Sequence, residues 1–237
     1  MINAFFSALS GLQTSSRQLQ SSAHNIANLQ TPGFKKSTIH LGDVATGGTR
    51  VIGSSRNSAS GPLISTSAPL DLAINGNGFF QVTQPNGGIG FTRAGSLRID
   101  SAGRLADTNN NPLFPEITVP GNHQGLTISA TGQVLALVNG QTITLGQIQL
   151  AGFKNPSGLT SLGGNLFAAS SQSGPALVGA PGAGGLGILV PGSVELSNVD
   201  IVEEVVSQML AKAAFKANAN VIRTANEMTG TLLDIKA

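Results

Sequence analysis

The chain has 237 residues and a net charge of +2, with 40% apolar residues but only 10% charged ones. This length allows one or two domains with a substantial core, and the charged fraction lies far below the usual quarter. Without a Lys/Arg run, Trp or Tyr, the sequence argues against nucleic-acid binding. The lack of cysteine excludes disulfides and thiolate ligands. No stretch approaches a transmembrane span, and residues 1–9 lack the features of a secretory signal.

The first predicted element is a helix that runs to about Leu29. A heptad pattern of apolar residues lies along it, formed by Phe5, Leu12, Leu19 and Ile26 with Leu9 and Ala23 on its flank. Such a seam packs against another helix. Before residue 35 the only charged side chain is Arg17, and the outer positions are small and polar. Neighbouring subunits can cover that surface without desolvating charge, so the helix is predicted to be fully ordered only inside an assembly.

The segment after this helix contains strong helix-ending signals. Thr31-Pro32-Gly33 combines a residue that removes a backbone donor with one that permits a sharp turn. Phe34 is expected to anchor the turn, and Lys35 and Lys36 are expected to return the chain to solvent. The first region is therefore predicted to comprise residues 1–35.

Residues 36–69 are predicted to form an extended linker, with one or two strands around His40-Leu41 and Arg50-Val51-Ile52. Residues 70–196 are predicted to form a β-rich domain, because short alternating runs are separated by turn signals without helical stretches. Its strongest local signal is a hairpin turn at Asn139-Gly140. The Gly/Pro/Ala-rich residues 173–192 are expected to be a surface excursion. The predicted fold is an antiparallel sandwich or barrel-like domain.

A second helix is predicted within residues 197–237. Ser197, Asn198 or Asp200 can cap it, and Glu203 and Glu204 place negative charge at its positive end. Its apolar face is wider than a two-stranded seam needs, which favours packing among several helices. The positions assigned to this face are Val202, Val205, Met209, Phe215 and Ile222.

No catalytic, cofactor or metal site is predicted. The histidines at 24, 40 and 123 have no acidic or histidine partner at ligand spacing. The loop of residues 75–78, Asn-Gly-Asn-Gly, precedes a strand-like run, so it is interpreted as a tight turn and not as a phosphate loop. The adjacent Glu203 and Glu204 are explained by the helix dipole.

Four segments together resemble the flagellar rod and hook proteins, the axial family of the bacterial flagellum. They are Asn25–Lys35, Asp71–Val82, Phe91–Leu97 with its continuation Asp100–Leu105, and Gly192–Asp200. The resemblance implies a non-enzymatic structural subunit of the basal-body rod. Its terminal helices would pair as a coiled coil that lines a channel, with the β domain outside them.

The resemblance also implies partners, location and site residues. Copies would assemble into a helical tube that transmits torque and carries exported subunits, in contact with other rod and hook proteins and with ring proteins around the rod. Export would use the flagellar type III apparatus, without a cleaved signal peptide, and there would be no direct membrane insertion. The helix-ending turn would comprise Asn25, Asn28, Thr31, Pro32, Gly33 and Phe34. The assembly interface would comprise Phe5, Leu9, Leu12, Leu19, Ile26, Val202, Val205, Met209, Phe215 and Ile222.

Two alternatives remain at this point. A hook subunit is one, although the lack of the large inserted outer domains of hook subunits favours a rod protein. The other is a secreted β-rich adhesin or polysaccharide-acting enzyme. The scattered carboxylates of the β-rich region argue against such an enzyme, which needs them clustered.

Overall fold

The computed structural model describes residues 2–45 and 47–236, with side chains for 3–45 and 47–231. The chain forms two compact units built from non-consecutive segments. The axial unit contains Met1–Leu29, Lys36–Asn57 and Val199–Ala237; the β unit contains Gln30–Lys35 and Ser58–Asn198. Among the described residues, no helix has the length and apolar character needed to cross a membrane.

The axial unit consists of two helices and a hairpin. Its elements are α1 (Ile2–Ala27), β1 (Ser37–Asp43), β2 (Thr49–Arg56) and α2 (Ile201–Lys236). The helices run antiparallel, because a Cβ on Gly11 would meet the side chain of Asn218, whereas Ser22 bonds to the backbone of Glu204. The predicted pairing of terminal helices is therefore confirmed.

The face that α1 buries is made of small and polar residues. Ala8, Thr14, Ser15, Ser22 and Asn25 are each at most 5% exposed. Small side chains let two helix backbones approach closely, and the hydroxyls are satisfied by backbone carbonyls, as where Ser15 bonds to Gly11. The large apolar side chains of α1 are thus left out of its most deeply buried face.

The segment expected to be a linker forms an ordered hairpin in the axial unit. The strands expected around His40 and Arg50 are present as β1 and β2, which pair antiparallel with a bulge after His40. The hairpin packs on α1 through Ser21 Oγ, which donates to Ser37 O, and through the N–H of Thr49, which donates to Ser10 Oγ, each at 3.1 Å.

The β unit contains fifteen strands among the described residues, and all their pairings are antiparallel. The first eight are β3 (Leu63–Ser65), β4 (Leu72–Asn75), β5 (Phe79–Thr83), β6 (Ile89–Thr92), β7 (Arg98–Ile99), β8 (Leu105–Ala106), β9 (His123–Ile128) and β10 (Gln133–Val138). The others are β11 (Gln141–Gln147), β12 (Leu150–Gly152), β13 (Thr160–Gly163), β14 (Leu166–Ala168), β15 (Leu177–Gly179), β16 (Ile188–Pro191) and β17 (Ser193–Glu195).

Two sheets and several strand pairs surround the core of this unit. The larger sheet has the open order β13-β14-β6-β5-β12-β15, the smaller one has the order β11-β10-β9, and β4, β3 and β7 pair with β16, β17 and β8. Fourteen buried residues form the main core cluster, including Leu72, Phe80, Leu105 and Leu150, none of which is exposed. The predicted mainly β domain is confirmed.

The structure contains the hairpin turn that had the strongest local signal in the sequence. β10 and β11 are joined by Asn139 and Gly140, with φ of 51° and 78°, and Val138 pairs with Gln141. Positive φ at both positions is the requirement of the predicted hairpin turn. The expectation for residues 173–192 was wrong, because they contribute β15 and β16, and Leu189 is only 1% exposed in the core.

The turn between β7 and β8 is organised by a single carboxylate. Asp100 Oδ1 accepts the N–H groups of Ala102 and Arg104 at 2.9 and 2.8 Å, and Oδ2 accepts Arg104 Nε at 2.9 Å. The backbone N–H of Arg104 makes the largest contribution to holding the pKa of Asp100 below its usual range. The ionised carboxylate therefore stabilises the folded state.

We expect Asp100→Asn to lower the urea midpoint near neutral pH, with little difference from the parent once the pH falls below the lowered pKa of Asp100. This pH dependence of the stability difference follows from proton binding. In the window between the two pKa values the unfolded chain binds more protons, so the contribution of Asp100 is lost as pH falls. Urea unfolding across the acid range measures this, with the exposed Asp43→Asn as a control. A midpoint difference that persists in strong acid would contradict the assignment.

Candidate assembly surface

The apolar seam predicted along α1 lies at or near the surface of the axial unit. Phe5, Leu9 and Leu19 are 36%, 37% and 43% exposed, while Leu12 and Ile26 are half-buried. Phe6, which the heptad pattern does not include, is more exposed still and makes an edge-to-face contact with Phe5. The seam is thus available to a further helix.

The first three turns of α2 carry the most exposed apolar side chains of the unit. We call this surface the α2 patch; it comprises Val202, Val205, Val206, Met209 and Leu210. Val202, Met209 and Leu210 are 69%, 65% and 66% exposed. The spacing of three and four residues within the α2 patch places these side chains on one side of α2. Of the other predicted positions, Phe215 is exposed and Ile222 is half-buried.

Asp200 fixes the start of α2, the helix that carries this patch. Its Oδ1 accepts the N–H groups of Val202 and Glu203 at 2.7 and 3.2 Å. Of the three candidate caps, Asp200 therefore makes the side-chain bonds that satisfy the first turn. The side chain of Glu203 is 67% exposed, but that of Glu204 is only 3% exposed, so the two adjacent carboxylates have different roles.

A buried polar network joins the two helices to the hairpin inside the axial unit. Asn25 Oδ1 accepts the N–H of Ser37 at 2.9 Å, and its Nδ2 donates to Ser37 O at 2.9 Å and to Glu204 Oε1 at 3.0 Å. Lys36 Nζ lies 3.1 Å from the same Glu204 oxygen and 2.8 Å from Glu203 Oε2. The hydrogen bond with Glu203 is the main cause that raises the pKa of Lys36. Asn25 thus holds α1, β1 and α2 together.

We expect Asn25→Ala to destabilise the axial unit by about 3 kcal/mol, because Ser37 and Glu204 lose buried partners. Circular dichroism of the helices during thermal unfolding of the full chain measures this. Asn220→Ala, at an exposed position of α2, is the matched control and should change little. Equal midpoints for the two variants would show that the network contributes no stability.

The second half of the helix-ending motif belongs to the β unit. The N–H of Gly33 donates to Glu195 O at 2.7 Å, and Pro32 O accepts Asn165 Nδ2 at 3.1 Å. Gly33 has a φ of 69°, and a Cβ there would lie 2.4 Å from the backbone nitrogen of Ala94. Glycine is thus required both for the turn and for the close approach.

The remaining motif residues have distinct surroundings. Phe34 is 2% exposed, which confirms the expected anchor. The N–H of Phe34 donates to Thr31 O at 3.2 Å, which closes the turn. In the axial unit, Asn28 Nδ2 donates to His24 O at 2.9 Å and so satisfies a carbonyl at the end of α1.

The expectation that Lys35 and Lys36 return the chain to solvent was wrong. Lys35 is 2% exposed in the β unit, where its Nζ donates to Glu195 Oε1 and to Ala59 O. Arg93 Nε lies 3.2 Å from Glu195 Oε2. We call Lys35, Arg93 and Glu195 the buried triad. Desolvation lowers the pKa of Lys35, and the hydrogen bond with Glu195 opposes that shift.

The buried triad joins the segments that carry the family resemblance. Lys35 ends the first motif, Arg93 lies in the third and Glu195 in the fourth, while Arg93 Nη2 donates to Gly76 O of the second at 2.8 Å. Sequence reasoning did not identify this cluster. The available signal was a charged residue inside each motif of a chain that has few charges.

Comparison with known proteins is consistent with these motifs. The family model of the flagellar hook protein FlgE/F/G D1 domain matches residues 73–136, and that of the flagellar basal body rod FlgEFG protein C-terminal region matches residues 190–235. The flagellar basal-body rod protein FlgG of Buchnera aphidicola subsp. Acyrthosiphon pisum is 35% identical over 96% of the chain and 97% of its own length. The chain belongs to the flagellar basal-body rod protein family.

Other members of the rod protein family are also similar in sequence to the chain over its whole length. FlgG of Bacillus subtilis is 32% identical over 100% of both chains. The flagellar hook protein FlgE of Caulobacter vibrioides is 29% identical over 82% of the chain but only 36% of its own length. The chain therefore resembles the rod members from end to end, and the hook member over part of the hook protein.

Proposed function

We propose that this chain is a structural subunit of the flagellar basal-body rod, and that copies of it stack into a helical tube. The observation that carries the proposal is the α2 patch, together with the exposed seam of α1. In the described part of the single subunit, Phe6, Val202 and Met209 on these helices are each more than 60% exposed. Heterologous contacts between such surfaces and a different face of the next copy build an open helical filament.

The tube would transmit torque and provide the channel for exported flagellar subunits, with α1 and α2 as its inner layer. Other axial proteins would extend it at either end, and ring proteins would surround it. We further propose that the subunit reaches the periplasm-spanning rod through the flagellar export apparatus without a cleaved signal peptide. The exposed patch supports this route, because covering it only at the assembly site avoids premature association. In this proposal the subunit is not an enzyme, and its buried charges serve the fold.

Electron microscopy of basal bodies from a strain without the gene tests the proposal. We expect the axial structure to stop within the rod, and a plasmid copy to restore it. A photo-cross-linking residue in place of Met209 should join neighbouring copies in the restored structures, because Met209 lies in the α2 patch. Complete rods in the deletion strain would refute the proposed role.

A further inference from the structure

A cavity of about 760 Å³ lies in the β unit beside β15. The apolar residues that line it include Phe79, Phe153, Leu177, Val178 and Leu186. This volume is within the range of sites that enclose a small ligand or several side chains of a peptide. Nothing in the proposed stacking of the axial helices uses this cavity.

The charged residues described in the wall are both cations. Arg93 and Lys154 line the cavity, and no Asp or Glu is among the described residues that do so. Arg93 shares the single carboxylate of Glu195 with Lys35, so the buried triad keeps one net positive charge. Arg93 Nη1 is buried without a hydrogen-bond partner among the described residues. A carboxylate in the cavity is the natural complement of this charge.

The neighbouring strand is suited to an extended peptide. β15 ends the six-stranded sheet and pairs only with β12 among the described strands, which leaves its outer edge open. Leu177 and Val178 on this strand are 65% and 51% exposed. Unpaired strand edges bind further strands through the backbone, while adjacent pockets select their side chains.

We propose that this cavity and the edge of β15 bind an extended peptide segment of a neighbouring axial subunit. The segment carries a carboxylate that enters beside Arg93 and Lys154, while its two flanking apolar residues face the other side of the sheet, as alternation along a strand requires. Charge complementarity selects an acidic segment, and the open strand edge selects an extended one. The proposal rests on the rod function for the identity of the partner. The contact uses no residue of the α2 patch, so it can be measured on the single subunit without rod assembly.

The test uses the isotope-labelled full chain and the peptide acetyl-Thr-Val-Glu-Leu-Ser-amide. We expect NMR shifts at residues 177–179 and at Lys154, and affinity about fivefold weaker for the peptide with Gln in place of Glu, as the loss of a charge-assisted bond predicts. Sodium acetate alone should leave the amides of β15 unchanged. Equal binding of both peptides, shifts confined to other regions, or the same shifts with acetate would each overturn the proposal.

Two variants test whether the peptide binds at this site, and neither changes a residue of the buried triad. Lys154→Gln removes an exposed cation of the rim, and Val178→Asp puts a negative charge on the strand that the acidic peptide would join. Each should weaken binding of the Glu peptide at least about fivefold. Arg98→Gln, which removes an exposed cation outside the cavity, is the matched control and should not change the affinity. Unchanged affinity in Lys154→Gln and Val178→Asp would overturn the proposed site.

Discussion

Replacing Val202 and Met209 together by aspartate should leave the folded subunit as stable as the parent and stop rod assembly. Both side chains are about two-thirds exposed, at 69% and 65%, so the single subunit buries little at either position. In an assembled interface the two new carboxylates would be desolvated without partners, at a cost of several kcal/mol for each site. That is enough to prevent stacking. Thermal unfolding of the purified variant and recovery of basal bodies from cells are the two measurements.

Asn220→Asp with Asn226→Asp is the matched control, since it adds the same charge to exposed positions of the same helix. We expect it to build complete rods. If both double variants fail to assemble, added charge on α2 is sufficient and the α2 patch has no special role. If the Val202/Met209 variant unfolds far below the parent, those residues belong to the core of the subunit and the proposed surface is wrong.

Glu195→Gln should destabilise the β unit by about 3–5 kcal/mol, the usual cost of removing one partner from a buried ion pair. The side chain is completely buried and is the one carboxylate that Lys35 and Arg93 share. The substitution keeps the shape but removes the negative charge that Lys35 and Arg93 share. Denaturant unfolding of the full chain measures the loss.

Glu203→Gln is the matched control, because it makes the same chemical change in an ion pair whose carboxylate is 67% exposed. Its expected cost is at most about 1 kcal/mol. In Glu195→Gln the pKa of Lys35 should fall further, since desolvation is then less opposed. Between that lowered value and the ordinary lysine pKa of about 10.4, the unfolded chain binds more protons. The variant should thus regain stability as pH rises. Equal losses in the two Gln variants would contradict the importance of the triad.

Much of the fold was predictable because it depends on neighbours in sequence. The Asn139-Gly140 hairpin and the end of α1 before Pro32 each follow from the backbone preferences of a few adjacent residues. The start of α2 was predicted only to within three candidate caps, of which the structure selects Asp200. The heptad of α1 likewise identified a helix and its apolar face. The prediction could not assign that face to a partner, because periodicity reports which residues share a side and not what covers them.

The buried face of α1 shows why other parts of the fold could not be predicted from the sequence. The helix contact inside the subunit uses Gly11 and Ser22, and the buried face also includes Ala8 and Ser15; none of them carries a strong hydrophobic signal. Close backbone approach makes them suitable, and that is a property of the pair of helices. In the same way, residues 173–192 looked like a surface excursion until the strand partners of β15 and β16 were known.

The sequence by itself determined the two terminal helices, the β-rich region between them, the turns, and through its four motifs the resemblance to a family. Only the tertiary structure decided what the charges do. Lys35 and Lys36 are adjacent, yet they bind different carboxylates, those of Glu195 and Glu203, which lie 160 and 167 residues away along the chain. A local pattern cannot indicate such partners, because burial and pairing are set by residues distant in sequence, and an isolated lysine is by default solvated.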